Sequence, residues 1–170
     1  MRDPINRVRW FESAVERYEG PLLRYASRIL GDLDRAQDVV QDIFVRLWKV
    51  EPEEIKDRLA AWLFMVCRNR ALDVQRKEDR MKPIDAGIFD HSESTNHTPD
   101  QAAEANEAAC SIFKLLSTLP AQQQEVIRLK FQNGLSYQEI SQVTRLTVSN
   151  VGYLIHTAIK SLREKMQTAE

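Results

Sequence analysis

Apolar residues recur every three or four positions over most of the first 80 residues, which is the spacing of amphipathic helices. Two polar stretches, "GDLDRAQ" at 31–37 and "VEPEEIKD" at 50–57, interrupt this pattern. Three helices are therefore predicted, with a loop or short turn around Pro52, and together they make one small bundle over roughly residues 5–82. The positions predicted to face its core are Phe11, Val15, Tyr18, Leu22, Tyr25 or Ala26, and Ile29 in the first helix, Ala36, Val39, Val40, Ile43, Phe44, Leu47 and Trp48 in the second, and Leu59, Trp62, Leu63 and Val66 in the third.

The starts of these helices carry recognisable signals. Asp34, followed three residues later by Gln37, fits a capping box at the start of the second helix. The third helix is predicted to run from about Asp57 to Arg80.

A second helical part follows a segment of different character. Residues 83–97, "PIDAGIFDHSESTNH", are polar, acidic and without periodicity, so they are predicted to be a linker. "TPDQ" at 98–101 then restarts a helix, with Thr98 as the N-cap and Pro99 in the first turn. A second core is predicted from Ile112, Leu115, Leu116 and Leu119.

The last 50 residues show the order of a helix-turn-helix. A helix that starts at Pro120 ends at "QNG", where Gly134 fits a C-terminal cap. Ser136 and Glu139 form a capping box for a short helix, and a turn at "TRL" leads to a longer helix capped by Thr147. The longer helix has Val151, Ile155, Ala158 and Leu162 on its inner face. Many helical hairpins share this order, and the usual glycine is missing from the turn, so the pattern alone leaves DNA binding open.

Composition narrows the class of protein. The chain has 170 residues, of which 43% are apolar, 29% are charged and only five are glycine, which is typical of one or two small, mostly helical globular domains. No apolar run approaches the roughly 18 residues that a membrane span needs. The charged N-terminus does not resemble a signal peptide, so a cytoplasmic protein is predicted.

The two cysteines and three histidines indicate neither a metal site nor a catalytic cluster. Cys67 and Cys110 are far apart, and no CxxC or zinc-type spacing occurs. Both are predicted to be buried, reduced thiols. No cofactor, metal or catalytic residue is therefore expected, and no phosphate-binding loop supports an enzyme.

Charge is distributed unevenly although the net charge is only −1. Residues 68–82, "RNRALDVQRKEDRMK", hold six Lys or Arg against three acids, whereas residues 83–113 hold six acids and no Lys or Arg. From Lys114 to the end there are seven cations and four acids. Such asymmetry suggests different partners for different segments.

Three long stretches of the chain carry a family resemblance. The first two are "DLDRAQDVVQDIFVRLW" and "AAWLFMVCRNRALDVQRKEDR", and the third is "LSTLPAQQQEVIRLKFQNGLSYQEISQVTRLTVSNVGYLIHTAIKSLREK". The first two resemble region 2, and the third resembles region 4, of the bacterial sigma factors of the extracytoplasmic-function type. The resemblance implies an all-α protein with two small helical domains, residues 5–82 and 98–170, joined by the acidic linker 83–97. It also implies that the protein binds core RNA polymerase and directs it to promoters. An anti-sigma factor is the further partner that this family implies.

The resemblance assigns roles to named positions. In this family the second helix packs on the clamp helices of the polymerase β′ subunit, and region 4 meets the β flap. Without the family, the polar side of that helix would be taken for a solvated face. The implied polymerase-binding residues are Asp38, Gln41, Asp42, Phe44, Arg46 and Trp48.

The third helix and the loop before it correspond to the part of the family that handles the minus-ten element. Opening a promoter needs cations along the DNA backbone and a surface for an unpaired base. Asn69 matches the position that contacts a base, although the loop here is unusually acidic and Trp62 could equally belong to the core. The implied minus-ten residues are Lys56, Arg58, Trp62, Arg68, Asn69, Arg70, Arg76, Lys77 and Arg80.

Lys130 and the start of the last helix correspond to the family positions that face the minus-35 element. Most relatives have a cationic stretch where this chain has Gly152, Tyr153 and Leu154. The C-terminal part alone, residues 114–170, is therefore expected to bind DNA weakly and with a shallow salt dependence. Gly152 could allow close approach of DNA backbone or of a partner helix. The implied minus-35 residues are Lys130, Ser149, Asn150, Gly152, Tyr153 and His156.

A second interpretation remains open: the chain could be a sigma-like decoy that binds an anti-sigma factor and never touches DNA. The cation-poor last helix favours it, while the basic stretch at 68–82 and Asn69 oppose it. The linker could be disordered when free, or could thread toward the RNA exit path of polymerase, or both.

Overall fold

The computed structural model describes residues 4–81 and 107–168, which are helical with short connections. The chain forms two compact units, Met1–Asn96 and His97–Glu170. The predicted linker 83–97 and the cap at Thr98 lie outside the described residues. The helices are α1 (Pro4–Leu30), α2 (Leu33–Lys49), α3 (Pro52–Ile55), α4 (Leu59–Met81), α5 (Glu107–Ser117), α6 (Ala121–Ile127), α7 (Tyr137–Thr144) and α8 (Val148–Thr168).

The first unit is a bundle in which α1, α2 and α4 pack against one another. Tyr25 and Phe64 meet edge to face at its centre, with ring centroids 5.4 Å apart. The predicted inner stripe of α2 is confirmed at Ala36, Val39, Val40, Ile43 and Leu47, which are all buried. The other buried apolar residues of this unit are Ala14, Leu22, Tyr25, Ala26, Ile55, Ala61, Leu63, Phe64, Cys67 and Ala71.

Some predicted core positions are only partly buried. In α4, Phe64 and Cys67 are buried, whereas Trp62 and Val66 remain partly exposed. Leu63 is buried as predicted, but the buried stripe of α4 continues through Phe64 and Cys67, because this helix is covered by both α1 and α2. The remaining predicted positions that are only partly buried are Phe11, Val15, Tyr18, Ile29, Phe44 and Leu59. Trp48 is 46% exposed, so its assignment to the core is wrong.

The start of α2 differs from the prediction. The N-cap is Asp32, whose extended backbone places its carboxylate to accept a hydrogen bond from the Arg35 N–H at 3.1 Å. The capping box proposed for Asp34 and Gln37 is therefore wrong, since Asp34 already lies within the first turn. Gly31, with φ of 66°, ends α1 just before this cap.

The segment around Pro52 is more ordered than the predicted loop or turn. Pro52 occupies the first turn of α3, where its missing N–H costs nothing. A 3₁₀ turn, Lys56–Arg58, connects α3 to α4. Ile55 is buried and anchors this segment to the bundle.

Cys67 is a free, fully buried thiol, as the sequence predicts for it. Burial raises the pKa of this thiol to about 12, because a thiolate would lose its hydration there. The side chain of Cys110 lies outside the described part of the chain.

The second unit is built around α8, against which α6 and α7 pack. Leu116 and Leu119 are buried as predicted, but Ile112 is 50% exposed, so its assignment to the core is wrong. Ile112 lies on the outer side of α5, the helix with fewer contacts to α8. The other buried apolar residues are Val126, Ile127, Leu129, Leu135, Ile140, Val143, Val151, Ile155 and Ala158.

A π-helical segment, Arg128–Gln132, continues α6 and was not predicted. Its last turn is wider than an α-helical turn. The Asn133 N–H donates to the carbonyl of Arg128, five residues earlier, at 3.2 Å, whereas an α-helix joins residues four apart. Gly134 then takes a φ of 69°, which confirms it as the residue that ends the helix. The Leu135 N–H closes the turn on the Leu129 carbonyl at 3.1 Å.

The predicted helix-turn-helix is present as α7, a short turn and α8. The capping box is confirmed: the Ser136 hydroxyl accepts from the Glu139 N–H at 3.2 Å, and the Glu139 carboxylate accepts from the Ser136 N–H at 2.7 Å. Arg145 takes the left-handed conformation in the turn, with φ of 59°, where many such turns have glycine. The Thr147 hydroxyl accepts from the Asn150 N–H at 3.2 Å and so caps α8 as predicted.

Candidate polymerase and nucleic-acid interfaces

The outer side of α2 presents a mixed polar surface. The burial of Val39, Val40 and Ile43 fixes the rotation of the helix, which leaves Asp38, Gln41, Asp42 and Arg46 exposed. These four are the polar members of the predicted polymerase-binding set. Val45, 54% exposed between them, belongs to the same surface and escaped the sequence analysis, because an apolar residue was not sought on the polar side.

The two aromatic members of that set, Phe44 and Trp48, are held against α1. Their rings meet Phe11 edge to face, with centroids 6.3 Å and 5.1 Å from that of Phe11. Trp48 nevertheless remains 46% exposed. A large aromatic side chain with one edge fixed and the rest exposed suits an interface anchor, because little rotamer freedom is lost on binding.

Arg7 further immobilises Trp48. Its guanidinium carbon lies 5.4 Å from the centroid of the Trp48 ring, and one of its amines donates to the Trp48 carbonyl. The same guanidinium lies 3.5 Å from a carboxylate oxygen of Glu51. Sequence reasoning missed Arg7, since the contact joins positions 41 residues apart.

Two ion pairs connect α2 to the basic helix α4. The Arg70 guanidinium donates from Nε to Oδ2 of Asp42 at 3.1 Å, and its Nη2 lies 3.0 Å from the same oxygen. Arg35 pairs with Glu78 nearer the C-terminal end of α4. The structure thus brings together Asp42 and Arg70, which the sequence assigned to different partners.

The segment before α4 holds the first predicted minus-ten residues. Lys56 lies 2.6 Å from the Glu53 carboxylate, and this bond raises the pKa of the Lys56 ammonium. Arg58 is exposed, and Trp62 is partly buried at the start of α4. Of the two cations in this segment, Lys56 is therefore bound by one of its acidic residues, Glu53.

The cations of α4 differ in how they are engaged. Arg68 and Asn69 are partly buried, and neither is without an interaction in the protein. Arg76 lies 3.9 Å from Asp73, at the outer limit of an ion pair. Lys77 and Arg80 are exposed and form no ion pair with any residue in 4–81. The end of α4 thus offers the charge most accessible to a phosphate backbone.

The start of α8 presents most of the predicted minus-35 residues to solvent. Burial of Val151 and Ile155 turns Ser149, Asn150, Tyr153 and His156 outward. Tyr153 is 66% exposed, which is unusual for an aromatic ring without a partner surface. No residue between 146 and 159 is Lys or Arg, so this surface is polar and aromatic and carries no fixed positive side chain.

Lys130 and Gly152 both lie next to the ring of Tyr137. The sequence did not assign Tyr137 to the site. The Lys130 ammonium lies 5.2 Å from the centroid of this ring. A Cβ on Gly152 would lie 3.6 Å from the same ring, which is ordinary van der Waals contact. Packing of α7 on α8 therefore does not require a glycine at 152. The sequence did hold a signal for Tyr137. It directly follows the N-cap Ser136, so it could have been placed at the start of α7 and close to α8.

The described residues offer neither a membrane span nor a metal site. Within 4–81 and 107–168, no helix is long and apolar enough to span a bilayer. In the same residues, His, Cys, Asp and Glu nowhere gather in groups of three or more that could hold a metal ion.

The chain is similar to known proteins along both units. Residues 14–81 match Sigma-70 region 2, and residues 111–162 match Sigma-70, region 4. Over 149 residues the chain is 32% identical to the ECF RNA polymerase sigma factor SigL of Mycobacterium tuberculosis, which covers 86% of this chain and 82% of SigL.

Solved structures with a similar fold include two complexes. One is the sigma factor RpoE in complex with the anti-sigma factor NepR from Bartonella quintana, with a TM-score of 0.69 and 24% identity over 94% of this chain and 98% of that one. The other is CnrH in complex with the cytosolic domain of CnrY, with a TM-score of 0.57 and 26% identity over 95% of this chain and 90% of that one. With both sigma regions matched in order in one chain, the protein belongs to the extracytoplasmic-function sigma factors of the sigma-70 family.

Proposed function

We propose that this sigma factor binds core RNA polymerase and directs it to promoters, where the first unit helps to separate the DNA strands. One observation carries the proposal. The same chain contains a region 2 bundle, whose helix α4 ends in exposed cations, and a region 4 helix-turn-helix. Sigma factors are regulatory proteins, so we infer that the chain itself is not an enzyme. It acts in the cytoplasm, where RNA polymerase and the chromosome are found.

Polymerase binding is assigned to the outer side of α2. Asp38, Gln41 and Asp42 supply exposed acceptors there, while Trp48 supplies a fixed aromatic anchor. Acids of this kind would pair with basic side chains on the β′ clamp helices, and the paired charges would set the orientation of docking. Region 4 would make the second attachment, to the β flap.

Promoter opening is assigned to α4 and the segment before it. Arg76, Lys77 and Arg80 project from the end of the helix and would follow the phosphate backbone. Asn69 would pair with the edge of an unpaired base, and Trp62 would offer a flat surface beside it. Arg68, Arg70, Lys56 and Arg58 would complete the charged path.

Minus-35 recognition is assigned to α8 and Lys130. Lys130 would contact a phosphate from its place over the Tyr137 ring. Ser149, Asn150, Tyr153 and His156 would face the major groove, as the second helix of a helix-turn-helix does. Binding by this unit alone would be weak, but attachment to polymerase makes the second contact intramolecular, at an effective concentration that can reach about the mM range.

One observation favours a second function, that of a decoy for an anti-sigma factor. The start of α8 has no Lys or Arg between 146 and 159, and the two similar structures described above are complexes, one of them with an anti-sigma factor. A decoy would not need the exposed cations at the end of α4, which is why we favour the initiation function. Regulation by an anti-sigma factor is compatible with either function.

Run-off transcription separates the two functions. Core RNA polymerase is assayed with and without the full chain on a pooled library of promoter fragments. We expect the chain to stimulate specific transcripts over core alone, and the variant Asn69→Ala to reduce them. A chain that stimulates no transcript from any fragment, yet folds and binds core, would contradict initiation and leave the decoy function.

A further inference from the structure

The first turns of α8 expose an amide and an aromatic ring, Asn150 and Tyr153, which suit an A·T base pair. The helix is fixed in rotation by Val151 and Ile155, which are buried, and in position by Thr147, which caps it. Asn150 and Tyr153 consequently project from the solvent side. They are three residues apart, hence about 4.5 Å apart along the helix axis.

Asn150 is the amide on this surface that is placed to read a base. Its backbone N–H is tied to Thr147 at 3.2 Å, whereas its side-chain amide is exposed and makes no hydrogen bond with a residue in the described ranges. An asparagine amide can donate to and accept from the major-groove edge of adenine at the same time. The geometry of the cap therefore presents a ready adenine-reading group.

Tyr153 is the apolar counterpart. Its ring is 66% exposed and lies one turn beyond Asn150 on the same side of α8. In the major groove, the apolar feature that a base presents is the methyl group of thymine. Side chains three residues apart on a helix have Cβ atoms about 5–6 Å apart, so the two can reach the same or neighbouring base pairs.

The side chains that most often read guanine are missing from this surface. The commonest specific contact to guanine is a Lys or Arg that binds two acceptors of the base edge. No residue from 146 to 159 is Lys or Arg, and Gly152 has no side chain at all. The first cation on α8 is Lys160, about 18 Å along the axis from Val148.

We infer that the start of α8 selects A·T base pairs in the upstream promoter element, with Asn150 pairing with an adenine and Tyr153 contacting a thymine methyl group. Specificity at these positions comes from an amide and an aromatic ring, and not from a cation. This inference rests on the proposed function, because it takes α8 to be the helix that enters the major groove.

The test is transcription by holoenzyme, made from core polymerase and the full chain, on a promoter library with both recognition elements randomised. Sequencing of the transcribed fragments should show A·T pairs enriched at adjacent upstream positions. Asn150→Ala should lower the preference at one of these positions by about tenfold, and Tyr153→Ala should lower the preference at the same or the next position. Tyr153→Phe should keep it, because the ring remains.

Gln167→Ala is the matched control, since Gln167 is an exposed amide near the far end of the same helix. It should leave every base preference unchanged. Enrichment of guanine at an Asn150-dependent position would overturn the inference, as would preferences unaffected by both Asn150→Ala and Tyr153→Ala. If no library member is transcribed above the level of core alone, the proposed function itself fails and the inference falls with it.

Discussion

Arg70 of α4 donates a hydrogen bond from Nε to Oδ2 of Asp42 on α2 at 3.1 Å, and its Nη2 lies 3.0 Å from the same oxygen in an ion pair. The acid belongs to the proposed polymerase surface and the cation to the proposed promoter-opening helix. Each side chain is therefore held by the other in the free protein. Both remain partly exposed, so solvent screens their attraction.

Replacement of Asp42 should affect both the binding of core polymerase and the stability of the first unit, whereas replacement of Asp38 should affect binding alone. Asp42→Asn should weaken binding to core polymerase and also lower the free energy of unfolding by about 0.2–1 kcal/mol, the range for exposed pairs. Asp38→Asn is the control, because Asp38 is exposed on the same side of α2 and makes no ion pair with a residue in 4–81. It should weaken core binding and leave stability unchanged.

Urea unfolding followed by tryptophan fluorescence measures this difference, because all three tryptophans, at 10, 48 and 62, lie in the first unit. Equal losses of stability in the two variants would show that the Asp42–Arg70 bond does not form as described. Full core binding by both variants would remove the outer side of α2 from the polymerase interface.

Gly152→Ala should stabilise the second unit by up to about 1 kcal/mol, the difference in helix propensity between the two residues. The added methyl group would lie 3.6 Å from the Tyr137 ring, so packing does not oppose it. Native-state hydrogen exchange of α8 amides reports this change without interference from the first unit. Faster exchange in the variant would indicate that the methyl group displaces Tyr137.

The same variant tests why a glycine stands at 152. If close approach of the DNA backbone requires it, Gly152→Ala will transcribe less while being more stable. Unchanged transcription would show that the glycine has no part in DNA binding.

The Cys67 thiol should make the first unit less stable in alkali. Its folded pKa, about 12, lies above the ordinary value of 9.0, so the unfolded state loses its proton first as the pH rises. This contribution is fully present below pH 9 and is lost between pH 9 and 12, at a slope of up to about 1.4 kcal/mol per pH unit.

Urea unfolding of wild type and Cys67→Ala between pH 8 and pH 10.5 isolates this contribution. The wild type should lose stability more steeply than the variant, since other titrating groups affect both alike. Parallel curves would contradict the buried, protonated thiol.

The second unit alone, His97–Glu170, should bind duplex DNA weakly and with a shallow salt dependence. Lys130 is the cation that the account places on DNA there, so one or two phosphate contacts are expected and a slope of log K against log salt of about −1 to −2. Fluorescence anisotropy over a range of salt concentrations measures it. A slope as steep as about −5 would show that other cations of this unit, such as Arg145 or Lys160, lie on the DNA.

The sequence predicted most helices and the caps at Ser136 and Thr147, because both signals are local. It placed the start of α2 wrongly, since Asp32 and Asp34 are both acids and only the backbone after Gly31 decides which one caps. The π-helical segment Arg128–Gln132 was not predicted, because its bonds to carbonyls five and six residues earlier leave no mark on the pattern of apolar residues.

Contacts between residues far apart in the chain could not be predicted from the spacing of apolar and polar residues. Asp42 and Arg70 are 28 residues apart, and their bond requires α2 and α4 to lie side by side in one register. The same holds for Arg7 and Trp48. The site residues themselves were named through the family resemblance, and their roles stay predictions until they are tested by mutation.

The central claim is that this chain makes polymerase open promoters and that the end of α4 supplies the charge for it. Permanganate footprinting of unpaired thymines on a transcribed promoter measures opening directly. Holoenzyme with the wild-type chain should expose thymines in the minus-ten region, and the triple variant Arg76→Gln, Lys77→Gln, Arg80→Gln should expose far fewer. Arg9→Gln, an exposed cation on α1, should behave as wild type. Wild-type holoenzyme that opens no more DNA than core alone, or a triple variant that opens it fully, would contradict the account.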